Sequence, residues 1–131
     1  MSLLYESRAE ADRAAQMLRV FSQPQRLMIL SLLLGGERTV GEIDAVTGIG
    51  QPALSQQLAE LRRASLVRTR KAAKLVHYDL ADDKVRMRVR AIEVIASGGD
   101  VNTPDEAMRP GKIRKPVQQS VSGAAAFARV L

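Results

Sequence analysis

The segment GIGQPALSQQLAELRRASLV, residues 48–67, constrains the fold of this chain more than any other stretch. Within it Leu54, Leu58 and Leu61 recur at spacings of four and three, which predicts a helix with one buried face. This helix is expected to run over residues 52–65. Its other positions are mostly polar or small, so the sequence predicts a short helix whose second face is open to a partner.

Two short β-prone stretches, residues 66–70 and 75–80, follow this helix directly. Their spacing predicts a two-stranded hairpin. The residues between them, KAAK at 71–74, contain neither Gly nor Asn. Tight two-residue hairpin turns favour those residue types, so we expect a longer and looser tip.

The rest of the first 97 residues is predicted to be helical. Thr39 followed by Glu42 matches a helix-capping box, and Asp82 is a candidate cap for the last helix. The expected helices cover residues 6–21, 25–34, 39–48, 52–65 and 82–96. The fold class is therefore mostly α with a small β-hairpin, in the order α-α-α-α-β-β-α, which is a winged helix-turn-helix.

Positive charge is concentrated in the helix and hairpin segment. The chain has 131 residues and a formal net charge of +6, and no acidic residue lies between Leu61 and Tyr78. The basic residues of that interval are Arg62, Arg63, Arg68, Arg70, Lys71 and Lys74. Such a one-sign cluster is typical of proteins that bind a polyanion, whereas charge serving solubility alone has no reason to cluster.

The polar face of the 52–65 helix carries side chains suited to DNA bases. Gln56 and Arg63 point away from the leucines; Gln bonds an adenine edge and Arg a guanine edge. Gln51, at the helix start, is expected to contact phosphate. A solvated helix face is the alternative, but the short Gly-containing turn before the helix and the basic hairpin after it favour DNA. The predicted DNA-binding residues are Gln51, Ser55, Gln56, Arg63, Arg70, Lys71 and Lys74.

Other kinds of function find little support in the sequence. The chain has no Cys and one His, His77, and its last helix offers Asp82, Asp83 and Glu93 but no His. We therefore expect no metal, no cofactor and no enzymatic activity. The N-terminus is charged too early for a signal peptide and no apolar run would span a bilayer, so a cytoplasmic protein without membrane contact is expected.

The last helix predicts a homodimer because it has two apolar sides. One consists of Val85, Val89, Ile92 and Ala96, and the other of Met87, Ala91, Val94 and Ile95. Residues 1–97 are expected to form the DNA-binding and dimerisation domain, and residues 98–131 a flexible tail. A short helix over 124–131 is conceivable. The tail's basic residues, Arg109, Lys112, Arg114 and Lys115, are expected to be solvated, with DNA contact as the alternative.

Three motifs, SQPQRL at 22–27, VGEI at 40–43 and GQPALSQQL at 50–58, together resemble the ArsR/SmtB family of winged-helix repressors. The resemblance covers about residues 10–97. It implies a homodimer that binds a palindromic operator in double-stranded DNA and represses transcription until a signal weakens binding. A non-specific architectural DNA-binding protein is the alternative from another class.

Within that family the chain most resembles the branch of BigR, SqrR and HlyU, which senses reactive sulfur through two cysteines. The matching sensor positions are Ser31 and Ser97 in this chain. Serine forms neither a persulfide nor a disulfide. Either the two serines replace native cysteines, or the chain is a constitutive NolR-like regulator that senses neither thiols nor metals. Without sensing, Ser31 would bond a backbone carbonyl one turn back and Ser97 would simply end a helix.

Overall fold

The computed structural model describes residues 3–99, which fold into five helices and three strands after a short 3-10 turn at Leu4–Glu6. The elements are α1 (Arg8–Phe21), α2 (Pro24–Leu33), β1 (Arg38–Thr39), α3 (Val40–Thr47), α4 (Ala53–Arg63), β2 (Val67–Ala72), β3 (Leu75–Leu80) and α5 (Asp83–Ser97). The predicted winged helix-turn-helix is confirmed. The tail predictions for residues 109–115 and 124–131 lie outside the described residues.

Side-chain caps fix where the helices begin. Thr39 Oγ1 accepts the Glu42 backbone N–H at 3.2 Å, and Glu42 Oε1 accepts the Thr39 N–H at 2.9 Å. The capping box predicted from the sequence is thus confirmed. Asp82 Oδ1 likewise accepts the Val85 N–H at 2.9 Å, as predicted for the start of α5.

Helix α2 lies at the centre of the core, as its apolar sequence predicts. Ile29, Leu30 and Leu33 are fully buried among leucines, isoleucines and valines from the other helices and the hairpin. The end of α2 is held by α5, because an Arg86 Nη1–H donates to the Leu34 carbonyl at 2.9 Å. The core therefore joins α2 to the helices and strands that carry the predicted DNA-binding residues.

The sheet has one strand more than the sequence predicts. Strand β1 pairs antiparallel with β3, which also pairs with β2, so the spatial order is β1-β3-β2. Thr39 of β1 lies opposite His77 of β3. A strand of two residues is too short to leave an alternating pattern in the sequence. It nevertheless ties the start of α3 to the hairpin.

The hairpin tip differs from the expected loose loop over residues 71–74, and that prediction is wrong. The ladder continues to the pair Ala72 and Leu75, which leaves only Ala73 and Lys74 as the turn. Their φ angles are +52° and +65°, the left-handed backbone of a type I′ turn. Such a turn matches the twist of the strands that it joins. The register of the paired strands thus overrides the cost of left-handed non-glycine residues.

The apolar sides of α5 differ in two positions from the prediction. Val85, Val89 and Val94 are buried, whereas Ala96 is exposed. Ala96 is thus the one exposed member of the first predicted side, and Val94 is the one buried member of the second. After α5 the chain turns back, and the Gly99 N–H donates to the Val94 carbonyl at 2.9 Å. Val94 belongs to the same buried apolar cluster as Val85 and Val89, which helical spacing alone did not predict.

Candidate nucleic-acid interface

The turn between α3 and α4 fixes the direction of α4. Gly48 ends α3 in the left-handed conformation with φ +66°, which a glycine adopts without strain. Asp44 Oδ1 accepts the Gly50 N–H at 2.8 Å, and the Gly50 carbonyl accepts the Leu54 N–H at 2.8 Å. Asp44, to which the sequence assigned no role, thus holds the turn at its centre.

Helix α4 has one buried and one exposed face, as its leucine spacing predicts. Leu54, Leu58 and Leu61 are buried. The exposed side chains are Ser55, Gln56, Ala59, Glu60, Arg62 and Arg63. Three of the predicted DNA-binding residues therefore share the solvent face of one helix.

This exposed face is a ridge between two grooves. One groove is lined by Val40, Ser55, Leu58, Ala59, Arg62, Arg63 and Tyr78. The other is lined by Arg26, Ser55, Gln56, Gln57, Ala59, Glu60 and Arg63. Ser55, Ala59 and Arg63 line both, so they form the crest of the ridge. A protruding helix with a groove on each side suits the DNA major groove, whose rims are two phosphate backbones.

The glutamines of this segment have different partners. Gln51 Oε1 accepts the Ser55 hydroxyl at 2.6 Å and the Ser55 N–H at 3.3 Å, so these two predicted residues act as one unit. Gln57 is half-buried and accepts an Arg26 Nε–H at 2.9 Å. Gln56 is exposed, and no side-chain hydrogen bond within residues 3–99 holds it. Its amide therefore has both donor and acceptor free for a partner.

Arg63 and Arg70, two of the predicted DNA-binding cations, are paired with carboxylates. Arg63 forms an ion pair with Glu60, one turn earlier on α4. Arg70 binds Glu37 through two hydrogen bonds, Nε to Oε2 at 3.1 Å and Nη2 to Oε1 at 2.5 Å. Glu37 lies outside the acid-free interval of the sequence, 33 positions before Arg70, so the order of residues along the chain does not reveal this pairing.

The positive cluster of the hairpin is interrupted by a second acid, Asp79. Its carboxylate lies 3.4 Å from Arg68 Nη2 and 3.6 Å from Arg86 Nη2. Arg68 and Asp79 are directly opposite each other in the β2–β3 ladder, which brings their side chains to one face. An interval that is purely basic along the chain is thus partly neutralised in space.

The two central cations of β2 project from opposite faces of the hairpin, because neighbouring residues of a strand alternate. Arg70 lies opposite His77 and Lys71 lies opposite Val76. Lys71 shares its face with Tyr78, which lines a groove beside α4. Among residues 3–99, Lys71, Lys74 and Arg62 have no carboxylate within salt-bridge distance, so these cations are the ones ready for phosphate.

The Glu37–Arg70 pair perturbs the ionisation of both members. The hydrogen bonds from Arg70 lower the pKa of Glu37, against a smaller opposing effect of desolvation. The same bonds raise the pKa of Arg70. His77 Nδ1 lies 3.6 Å from Glu37 Oε1 on the same face. Both partners of the pair are therefore fully charged at neutral pH.

The two candidate sensor positions have separate partners. The Ser31 hydroxyl on α2 donates to the Glu93 carboxylate on α5, and not to a backbone carbonyl one turn back. The Ser97 hydroxyl donates to the Val94 carbonyl at 3.0 Å at the exposed end of α5. The backbone-bonded alternative for Ser31 is therefore wrong, and Ser31 links α2 to α5.

Residues 3–99 contain no group of three His, Asp or Glu side chains arranged to hold a metal ion. In the same region no helix is both long enough and apolar enough to cross a bilayer.

Comparison with known sequences matches residues 23–69 to the family described as bacterial regulatory protein, arsR family. The chain is 42% identical over 85 residues to the biofilm growth-associated repressor of Xylella fastidiosa strain Temecula1, covering 65% of this chain and 75% of that protein. It is 38% identical over 89 residues to the transcriptional activator HlyU of Vibrio cholerae, covering 68% and 82%.

Solved structures of transcriptional regulators also match this chain. The crystal structure of the transcriptional repressor BigR from Xylella fastidiosa superposes with a TM-score of 0.66 at 38% identity, covering 73% of this chain and 95% of BigR. The homodimeric winged helix-turn-helix domain of Mb0332 from Mycobacterium bovis, a possible ArsR-family regulator, gives a TM-score of 0.60 at 29% identity, covering 74% and 88%.

Proposed function

We propose that this chain, which belongs to the arsR family of bacterial regulatory proteins and is a DNA-binding transcriptional regulator, acts as a homodimeric repressor on a palindromic operator. The observation that carries the proposal is the α4 ridge. Its crest is formed by Ser55, Ala59 and Arg63, its flanks are open, and cations lie on the hairpin beside it. A regulator of bacterial genes works where the chromosome is, so we place it in the cytoplasm.

In the proposed complex α4 lies in the major groove. Gln56 reads base edges, while the Gln51–Ser55 unit and Arg63 contact the bases or the adjacent backbone. When the protein binds DNA, Arg63 leaves its ion pair with Glu60 and contacts the DNA instead. Lys71 and Lys74 contact flanking phosphates, which gives affinity without sequence preference.

The dimer is supported by the apolar surface of the outer helices. Leu18 on α1 is 54% exposed, and Met87 and Ile95 on α5 are 64% and 69% exposed. Met87, Ala91 and Ile95 follow one another at intervals of four along α5, so they form one stripe. We propose that the stripe packs against the partner subunit of a homodimer, which is the assembly of the relative from Mycobacterium bovis.

Operator selection from random DNA, followed by fluorescence anisotropy, tests the function. Gln56→Ala should lose about 5- to 150-fold of its preference at one base pair of each half-site, as expected for one bidentate contact. Gln57→Ala is the matched control, because Gln57 lines the same groove as Gln56 but its amide oxygen is engaged by Arg26. The control should change stability and leave base preference intact.

Lys74→Ala should weaken binding to operator and random duplexes by the same factor and lower the salt slope by about one. Equal affinity of the wild type for operator and random DNA would contradict the repressor proposal. It would favour the non-specific architectural alternative, for which charge alone sets affinity.

We further propose that the chain has no thiol switch, since it contains no cysteine. It is then a constitutive regulator or one that responds to another signal. Polysulfide should leave its DNA binding unchanged, whereas a Ser31→Cys/Ser97→Cys variant should be released if the two positions are a disabled sensor. Failure of the double variant to respond would support the NolR-like alternative.

A further inference from the structure

The residue Glu37 lies against the hairpin that is proposed to face DNA. It precedes β1, and the pairing of β1 with β3 brings it to the face of the hairpin that carries Arg70 and His77. Arg70 and His77 lie opposite each other in the ladder, so both project toward it. Three separate stretches of chain thus meet at one carboxylate.

The contact between Glu37 and Arg70 uses the donors that would bind a phosphate. The two hydrogen bonds run from Nε and Nη2 to the two carboxylate oxygens, at 3.1 and 2.5 Å. Arginine binds phosphate with the same planar fork of two N–H groups. A phosphate that took this fork would have to displace Glu37.

The pair is accessible enough for this exchange. The Arg70 side chain is 58% exposed and the Glu37 side chain 32% exposed. Exposed ion pairs are worth about 0.2–1 kcal/mol, so a nearby phosphate backbone can compete for the guanidinium. The carboxylate that remains would still oppose the approach of DNA.

We propose that Glu37 is an internal competitor for Arg70: it occupies the guanidinium in the free protein and is replaced by a DNA phosphate when the hairpin binds. This inference rests on the proposed DNA-binding function. Glu37 is then a negative determinant of affinity that acts alike on every sequence, because each duplex presents the same phosphates. It keeps the affinity for random DNA low.

The test compares the cost of removing Arg70 in two backgrounds. Wild type, Glu37→Gln, Arg70→Gln and the double variant are titrated with an operator duplex and a random duplex at about 0.1 M salt, where screening acts over about 10 Å. Glu37→Gln should bind both duplexes about two- to fivefold more tightly. Arg70→Gln should then weaken the Glu37→Gln protein by about two- to fivefold more than it weakens the wild type.

The matched control is Glu10→Gln, which removes the same charge from an exposed glutamate paired with Arg13 on α1. It should leave DNA affinity unchanged. Thermal unfolding of each protein by circular dichroism separates affinity changes from loss of fold.

Equal penalties for Arg70→Gln in the two backgrounds would overturn the proposal, because Arg70 would then keep its carboxylate in the complex. A smaller penalty in the Glu37→Gln background, or weaker DNA binding by Glu37→Gln itself, would also overturn it and make Glu37 an orienting residue. If the proposed repressor function is wrong, the wild type will bind the operator and the random duplex with equal affinity. The penalties for Arg70→Gln in the two backgrounds can still be compared in that case.

Discussion

Replacing Ala73 at the hairpin tip by glycine should stabilise the protein, although it removes a methyl group. Ala73 has φ +52°, a conformation that costs an L-residue about 1–2 kcal/mol. Glycine adopts it freely but loses more chain entropy on folding, about 0.5–1 kcal/mol. The net gain for Ala73→Gly is therefore about 0.5–1 kcal/mol, which corresponds to a rise of about 2–8 °C in Tm for a domain of this size.

The control is Ala72→Gly, one residue earlier and inside β2, where the same change should cost about 0.5–1 kcal/mol. Thermal unfolding at one fixed protein concentration measures both variants, because dimerisation makes Tm depend on concentration. Amide hydrogen exchange at Leu75, which pairs with Ala72 across the turn, reports the local opening of the tip. If Ala73→Gly lowers Tm as much as Ala72→Gly does, the tip is not a left-handed two-residue turn.

Three further predictions concern single residues. Thr39→Ala should lower the free energy of unfolding by about 0.5–2 kcal/mol in urea titrations with an unchanged m-value, because Glu42 loses its capping partner. Gly48→Ala should cost about 1 kcal/mol in the same assay; its φ is +66° and no atom lies within 4 Å of the added Cβ, so the cost is backbone strain alone. Because Arg70 lowers the pKa of Glu37, their pair stabilises the fold above the ordinary value of 4.5 and loses this effect as pH falls through the folded pKa. Urea midpoints followed from pH 6 to pH 3 should fall further in the wild type than in Glu37→Gln, where only the other carboxylates, such as Glu42, still titrate.

The helices were predictable from sequence because their signals are local. Leucines at helical spacing defined the buried face of α4, and capping residues such as Thr39 and Asp82 marked two helix starts. Each signal lies within a few residues of the feature that it predicts. The same holds for Gly48, which ends α3 in the left-handed conformation.

Features that depend on long-range pairing were not predictable in this way. Strand β1 exists only because β3 lies beside it, and the turn at Ala73 is tight only because the two strands keep their register up to it. The burial of Val94 likewise depends on which residues pack around α5 in the folded core.

In the candidate interface, too, local features were predictable and long-range contacts were not. The sequence predicted which α4 side chains face outward, because the leucines fix the helix phase. It did not predict that Arg70 is held by Glu37, a residue 33 positions away, or that Arg26 holds Gln57, 31 positions away. Charge counted along the chain overstates the positive potential of a surface where distant acids fold back beside the arginines.

Strand β1 is only two residues long, yet it has a consequence for how the regulator could be switched. Its last residue, Thr39, pairs with β3 and at the same time caps α3, so the hairpin and the helix-turn-helix are joined at one residue. Bending the hairpin away from the helix-turn-helix would pull β3 off Thr39, the residue that caps α3. In the proposed dimer an inducer therefore gains most by altering the distance and angle between the two subunits, while each subunit keeps its own shape.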